Sequence, residues 1–280
     1  MECEVDNATI HYEEHGDGRP IILLHGWTMD HRVEMADYEK IFAARTGWRR
    51  IYPDLPGMGR SAAKAGLANQ DDVLRALLDF IDRVLPTGRF LLAGTSLGAY
   101  LARAVAAHRR SRIAGLLLRV PCIVAQDARR TLPAFRPLVR NDALIASLGE
   151  EERTALGNVI VQTPDYIEVL RQRTRTLVQP AIAETASIAN EIRADPKRYA
   201  FSFDLAEIEG NFEEPTLIIA ARQDGTVGYR DAWDILESYP RATFAVVDRA
   251  THGWPLEAPN LLAPLVDDWL ARVALAERGA

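Results

Sequence analysis

Gly94-Thr95-Ser96-Leu97-Gly98 places one hydroxyl between two glycines, each two positions away. The apolar run Phe90-Leu-Leu-Ala93 precedes it and a helical stretch follows, so the pattern falls at a strand-to-helix turn. In that setting G-x-S-x-G describes a sharp, strained bend where side chains at 94 and 98 would clash. The bend lifts Ser96 above the sheet, and the following helix aims its positive end at the place where negative charge would develop. The chemistry implied is attack by an activated hydroxyl. The bare pattern arises by chance in roughly one chain in ten of this length, so its position between strand and helix carries the argument.

A serine hydroxyl needs a base to take its proton and a third group to orient that base. The chain has six histidines. His11 and His15 fall in an early hairpin, His31 opens a helix and His108 closes one, and each has an ordinary surface explanation. His252 differs, because Ala250-Thr251-His252-Gly253 directly follows the strand-like Phe244 to Val247. That places it at a C-terminal strand edge, where α/β sheets hold their sites. Asp224, in Arg222-Gln223-Asp224-Gly225, follows the strand-like Thr216 to Ala220 and is the leading candidate for the orienting acid. Asp248 competes for that role, although it lies on the same strand end as His252. The order Ser96, Asp224, His252 is nucleophile, acid, base.

The elements that must hold these residues are legible as alternation. Thr9 to Tyr12, Pro20 to Leu24, Arg50 to Pro53, Phe90 to Ala93, Ile113 to Val120, Thr216 to Ala220 and Phe244 to Val247 read as strands, most of them apolar on both faces. Asp71 to Val84 and Leu97 to His108 read as helices between them. The class is therefore α/β with a mainly parallel central sheet flanked by helices. Residues 122–213 break the alternation with helices alone. Thr163-Pro164-Asp165 starts one helix, with Tyr166, Val169, Leu170 and Leu177 on a face; Gln179-Pro180 starts another, carrying Ile182, Ala186, Ala189 and Ile192. The expectation is a core of residues 1–121 and 214–280, with 122–213 inserted as an all-helical cap over the strand ends.

With these motifs the sequence resembles the α/β-hydrolase superfamily, over nearly the whole chain. His25-Gly26-Trp27 is similar to the family's oxyanion loop, and Asp54-Leu-Pro-Gly57-Met-Gly59-Arg-Ser61 to its D-x-x-G-x-G-x-S loop. The resemblance implies Ser96 as nucleophile, His252 as base, Asp224 as acid, and the backbone N–H groups of Trp27 and Leu97 as the oxyanion hole. It also implies the inserted cap. Thr251 departs from the glycine that many members carry before the histidine. His25, Tyr100 and Trp254 are candidates for pocket lining, although His25 also reads simply as a loop-shaping residue. Asp54 and Arg60 read as holding their loop together. Arg129, Arg130, Arg136 and Arg140 read as a solvated face in preference to an anion site.

Composition bounds the partners. The 280 residues are 48% hydrophobic and 26% charged, with a net charge of −6, which suits a globular enzyme and gives no attraction to nucleic acid or anionic membranes. Cys3 and Cys122 have no metal-ligand spacing and read as free thiols, and the acidic start of the chain is unlike an export signal, so a cytoplasmic location is expected. No cofactor or metal is expected, and the partner is a small-molecule substrate. The leading function is a serine hydrolase of carboxylic esters or related acyl bonds. A lyase or carbon–carbon bond hydrolase on the same fold and a non-catalytic receptor remain as alternatives. Haloalkane dehalogenases and epoxide hydrolases attack with Asp where this chain has Ser96, which argues against those reactions.

Overall fold

A computed structural model describes residues 1–43 and 45–278. Its strands are β1 (Glu2–Val5), β2 (Ala8–His15), β3 (Arg19–Leu24), β4 (Trp48–Pro53), β5 (Ala62–Ala63), β6 (Phe90–Thr95), β7 (Ile113–Arg119), β8 (Thr216–Ala221) and β9 (Ala242–Val247). They form one sheet in the order β1-β2-β4-β3-β6-β7-β8-β9, with β5 paired to β2. From β4 to β9 every pairing is parallel; β2 runs antiparallel to β1, β4 and β5. The strands read from the sequence all lie in this sheet. The short β1 and β5 carry too little periodic signal to be read.

The parallel strands are apolar along their length because both faces are covered. The principal helices are α1 (His31–Phe42), α2 (Gln70–Val84) and α3 (Leu97–His108). Between β7 and β8 come α4 (Asp142–Ser147), α5 (Glu150–Leu156), α6 (Pro164–Arg173), α7 (Gln179–Ala183), α8 (Ser187–Ala194), α9 (Pro196–Tyr199) and α10 (Leu205–Glu209); α11 (Arg230–Asp234) lies between β8 and β9, and α12 (Pro259–Arg278) follows β9. One core joins α2 and α3 to a sheet face through Leu77, Phe80, Leu101 and Val105 against Ile22, Leu92 and Leu116. The other joins α1 and α12 through Tyr38, Phe42, Val266 and Trp269 against Leu23, Leu91 and Leu117. Asn69 starts α2 with a reciprocal capping box to Asp72, which satisfies amides that the first helical turn leaves open.

Among the described residues, the regular elements of the segment from β7 to β8 are helices, joined by loops, apart from one isolated bridge between Val139 and Val161. It carries a small cluster of its own, Leu148, Val159 and Ile167. Thr163 caps α6 with Pro164 in the first turn, as the sequence predicts. Two details differ. α6 buries Ile167, while Val169 is exposed. The helix expected from Gln179 through Ile192 is broken, because Ala186 is extended and its N–H donates to Gly57 O (2.9 Å) instead of continuing the turn. That bond also pins α8 to the loop after β4.

Trp269 is fully buried and its indole N–H donates to Pro215 O (3.0 Å), tying α12 to the start of β8. Trp269→Ala removes both packing and the bond, and is expected to cost about 3–5 kcal/mol. Urea denaturation measures this; a loss below about 1 kcal/mol would mean that α12 contributes little to the core.

Candidate active site

Ser96 occupies the turn from β6 into α3 with φ +55° and ψ −112°, a conformation that costs a non-glycine residue about 1–3 kcal/mol. The surrounding structure holds it there. Its N–H donates to Arg119 O (3.0 Å), and its carbonyl accepts from Cys122, Ala99 and Tyr100. The glycines are required by space. A Cβ on Gly94 would lie 2.3 Å from Gly98 O, and one on Gly98 would lie 2.3 Å from Leu24 O. The helix therefore approaches β3 and β6 through backbone alone.

His252 Nε2 stands 3.0 Å from Ser96 Oγ, and His252 Nδ1 stands 2.8 Å from Asp224 Oδ2. A carboxylate can only accept, so Nδ1 carries the proton and Nε2 is free to accept from the serine. Asp224 is fully buried, and its other oxygen accepts from the N–H groups of Thr226 (2.8 Å) and Val227 (3.0 Å). The two loops meet because β8 and β9 are neighbours: Arg222 N donates to Val247 O and Gln223 N to Ala250 O. Asp248 is exposed on the strand end. Of the two competing acids, the structure brings Asp224 against the imidazole. At Thr251, hydroxyl and amide both bond Glu257, which fixes the loop where glycine was expected.

Leu97 N lies at the first position of α3, and Trp27 N in the loop after β3. Among the described residues, neither amide has a protein acceptor. His25 is fully buried and positions that loop: Leu55 N–H donates to its Nε2 (2.8 Å), so its Nδ1–H donates to Gly26 O (2.7 Å). Burial holds its pKa below the ordinary histidine range, consistent with this neutral ring. Asp54 Oδ1 accepts from the amide of His31 (2.7 Å) and from its Nδ1 (2.8 Å), and Oδ2 accepts from Arg60 N. His31 and His11 are therefore buried structural groups and not surface residues. Asp30, His31 and Asp54 bring possible metal-ligand atoms together, but these atoms are already spent on this loop and on Arg32.

A cavity of about 300 Å³ opens at Ser96 and His252. Trp27 and Trp254 line it; His25 and Tyr100 do not. Tyr100 turns away to accept the Phe201 amide (3.1 Å) and to stack on that ring. Four arginines do line it: Arg119, Arg130, Arg173 and Arg193. Of these only Arg130 belongs to the group expected on a solvated face, where Arg129, Arg136 and Arg140 do lie. Arg119 is fully buried at the end of β7, bonding Thr95 Oγ1 (2.9 Å), Asp37 (2.7 Å) and Glu34 (3.0 Å). A charge closing an otherwise apolar strand was the available signal. Burial pushes the Glu34 carboxyl upward despite Arg119, whereas the two carboxylates outweigh burial and hold the Arg119 guanidinium charged.

A family model described as the alpha/beta hydrolase fold matches residues 19–259. The chain is 34% identical over 273 residues to (E)-2-((N-methylformamido)methylene)succinate hydrolase of Acinetobacter baylyi, covering 95% of each. It is 31% identical over 282 residues to pimeloyl-[acyl-carrier protein] methyl ester esterase of Shewanella sp. (strain MR-7), covering 94% of this chain and 95% of that one. A further similarity, 34% over 113 residues, is to haloalkane dehalogenase 2 of Mycobacterium tuberculosis, of whose length the match spans 37%. Among solved structures, an alpha/beta superfamily hydrolase from Oenococcus oeni PSU-1 superposes with a TM-score of 0.80 at 24% identity, over 98% of this chain and 99% of that one. No helix among the described residues is long and apolar enough to cross a membrane.

The elbow's tolerance is testable by a pair of substitutions. Gly98→Ala forces a Cβ against two backbone carbonyls and is expected to cost about 1–3 kcal/mol. Gly149→Ala, where a Cβ meets nothing within 4 Å, is expected to stay within about 0.5 kcal/mol of the parent. Equal chemical-denaturation midpoints for the two variants would show that close approach does not constrain the turn.

Proposed function

The chain belongs to the α/β-hydrolase fold family, and from that premise we propose that it is a cofactor-independent serine hydrolase cleaving a small carboxylic ester or related acyl bond. The observation that carries this reading is the unbroken hydrogen-bond chain from Ser96 Oγ through His252 to buried Asp224, at the wall of a cavity. Ser96 Oγ attacks the carbonyl carbon while His252 Nε2 takes the hydroxyl proton. The carbonyl electrons move onto oxygen, and the unused N–H groups of Trp27 and Leu97 bind that oxyanion. Asp224 holds the imidazole tautomer and stabilises the imidazolium. Collapse expels the leaving group, which takes the proton from His252. Water, deprotonated by the same imidazole, then attacks the acyl-serine and releases the acid.

Residues 122–213 act in this proposal as a specificity cap over a core made of 1–121 and 214–280. Support comes from the cavity lining, to which this segment contributes Arg130, Arg173, Val178, Arg193 and Tyr199. The names of the relatives, a succinate-derivative hydrolase and a methyl ester esterase, agree with acyl-bond hydrolysis as the reaction class. In this reading the substrate is a small molecule, of a size that a cavity of about 300 Å³ admits.

Ser96→Ala is expected to abolish hydrolysis of a short activated ester while leaving the fold intact; activity within about tenfold of wild type would exclude the covalent route. Asp224→Asn should lose at least ~10²-fold in turnover, whereas Asp248→Asn should remain within ~10-fold. Steady-state kinetics on the folded variants measures both, and the reverse ranking would assign the acid to Asp248.

A further inference from the structure

Among the described residues, several donors of the cavity-lining side chains lack a protein acceptor. An arginine offers five N–H bonds, and Arg130 spends its own on Val124 O, Thr226 O, Asp127, Ala125 O and Cys122 Sγ. Arg193 does not. Its Nη2 bonds both oxygens of Asp127 (2.8 and 2.6 Å), while Nε and Nη1 have no protein acceptor among the described residues. The indole N–H groups of Trp27 and Trp254, both lining the same cavity, are buried without a partner as well. Elsewhere in the lining Arg119 and Arg173 are matched by Glu34 and Asp37. On the Arg193 wall two guanidiniums share one carboxylate, Asp127, which is itself more than half exposed. The guanidinium of Arg193 is held in place by the rings of Tyr199 (4.6 Å) and Trp27 (5.5 Å). A held, incompletely paired guanidinium in the cavity lining calls for a ligand that brings acceptors and negative charge.

We propose that Arg193 binds a carboxylate carried by the acyl half of the substrate, so that the preferred substrate is an ester or related acyl compound with its own anionic group. This rests on the hydrolase reading for the word substrate, but the binding claim stands without turnover. The acyl half is assigned because it stays attached to Ser96 through both chemical steps, whereas a leaving group held by the same ion contact would depart slowly. Asp127 competes with the ligand carboxylate for Arg193, and this sets the sign of the test.

The probes are monomethyl succinate and methyl 4-methylpentanoate, which match in shape and differ in charge. Calorimetric titration of the Ser96→Ala protein should show the anion binding at least ~10-fold tighter than the neutral ester, since hydrogen bonds to a charged group are the strong ones. Arg193→Gln should erase that preference, and Arg193→Lys, which keeps the charge but not the fork, should restore part of it. Asp127→Asn should tighten anion binding. A merely structural Arg193–Asp127 pair predicts instead that both Arg193→Gln and Asp127→Asn weaken binding of the two probes alike. Equal affinity for the two probes, or a preference that survives Arg193→Gln, overturns the proposal. Turnover of both esters by the wild-type chain is read separately: discrimination in binding with no hydrolysis would overturn the hydrolase reading alone, and hydrolysis without discrimination would overturn this one alone.

Discussion

Everything at the site depends on the backbone reversal at Ser96. A residue with a side chain is held at φ +55°, and the strain persists because the sheet on one side and α3 on the other fix the turn from both ends. Close approach makes this possible: with no Cβ at Gly94 or Gly98, α3 lies directly against the carbonyls of β3. Leu97 N, at the first position of α3, and Trp27 N, in the loop after β3, both lack a protein acceptor among the described residues. In the proposed mechanism these two amides serve one oxyanion with no side chain committed to the purpose. A looser turn would leave the hydroxyl, the helix end and the loop after β3 each in an ordinary conformation, with no common point to face.

The second constraint is electrostatic. Arg119 closes a buried strand, and its charge is tolerated only because Glu34 and Asp37 of α1 reach it, with Arg173 from the helical segment completing the set around Asp37. Such a network gives little net stability, because desolvation offsets most of the Coulomb attraction. What it does here is geometric. It joins β7, α1 and the end of α6 beside Thr95, the residue before the elbow, and walls one side of the cavity. Arg193, also in the lining, is positioned differently, over the rings of Trp27 and Tyr199 and by one shared carboxylate.

Most of the core architecture was legible in the sequence, for identifiable physical reasons. Strands buried on both faces leave continuous apolar runs, and a turn that forbids side chains leaves glycines at fixed offsets. Parallel order then places the ends of β8 and β9, and so Asp224 and His252, at the same edge as Ser96. The cavity wall was not legible, because its partners are distant in sequence: Arg119 pairs with residues 85 and 82 positions away. The histidines misjudged as surface groups, His11 and His31, show the same limit, since the burial of His31 depends on Asp54 in another loop. Tyr100 stands one turn beyond the elbow yet faces Phe201, because helix rotation, and not proximity in sequence, decides which side chains see the cavity.

The most direct test of the central claim is whether Ser96 is an activated nucleophile. Wild-type protein and His252→Ala are treated with a fluorophosphonate, and labelling is followed by intact mass with the modified peptide sequenced. The account predicts rapid incorporation of one equivalent on Ser96 in the wild type and labelling slowed by orders of magnitude in the histidine variant. An unlabelled wild type, a label on another residue, or equal rates in the two proteins would contradict it.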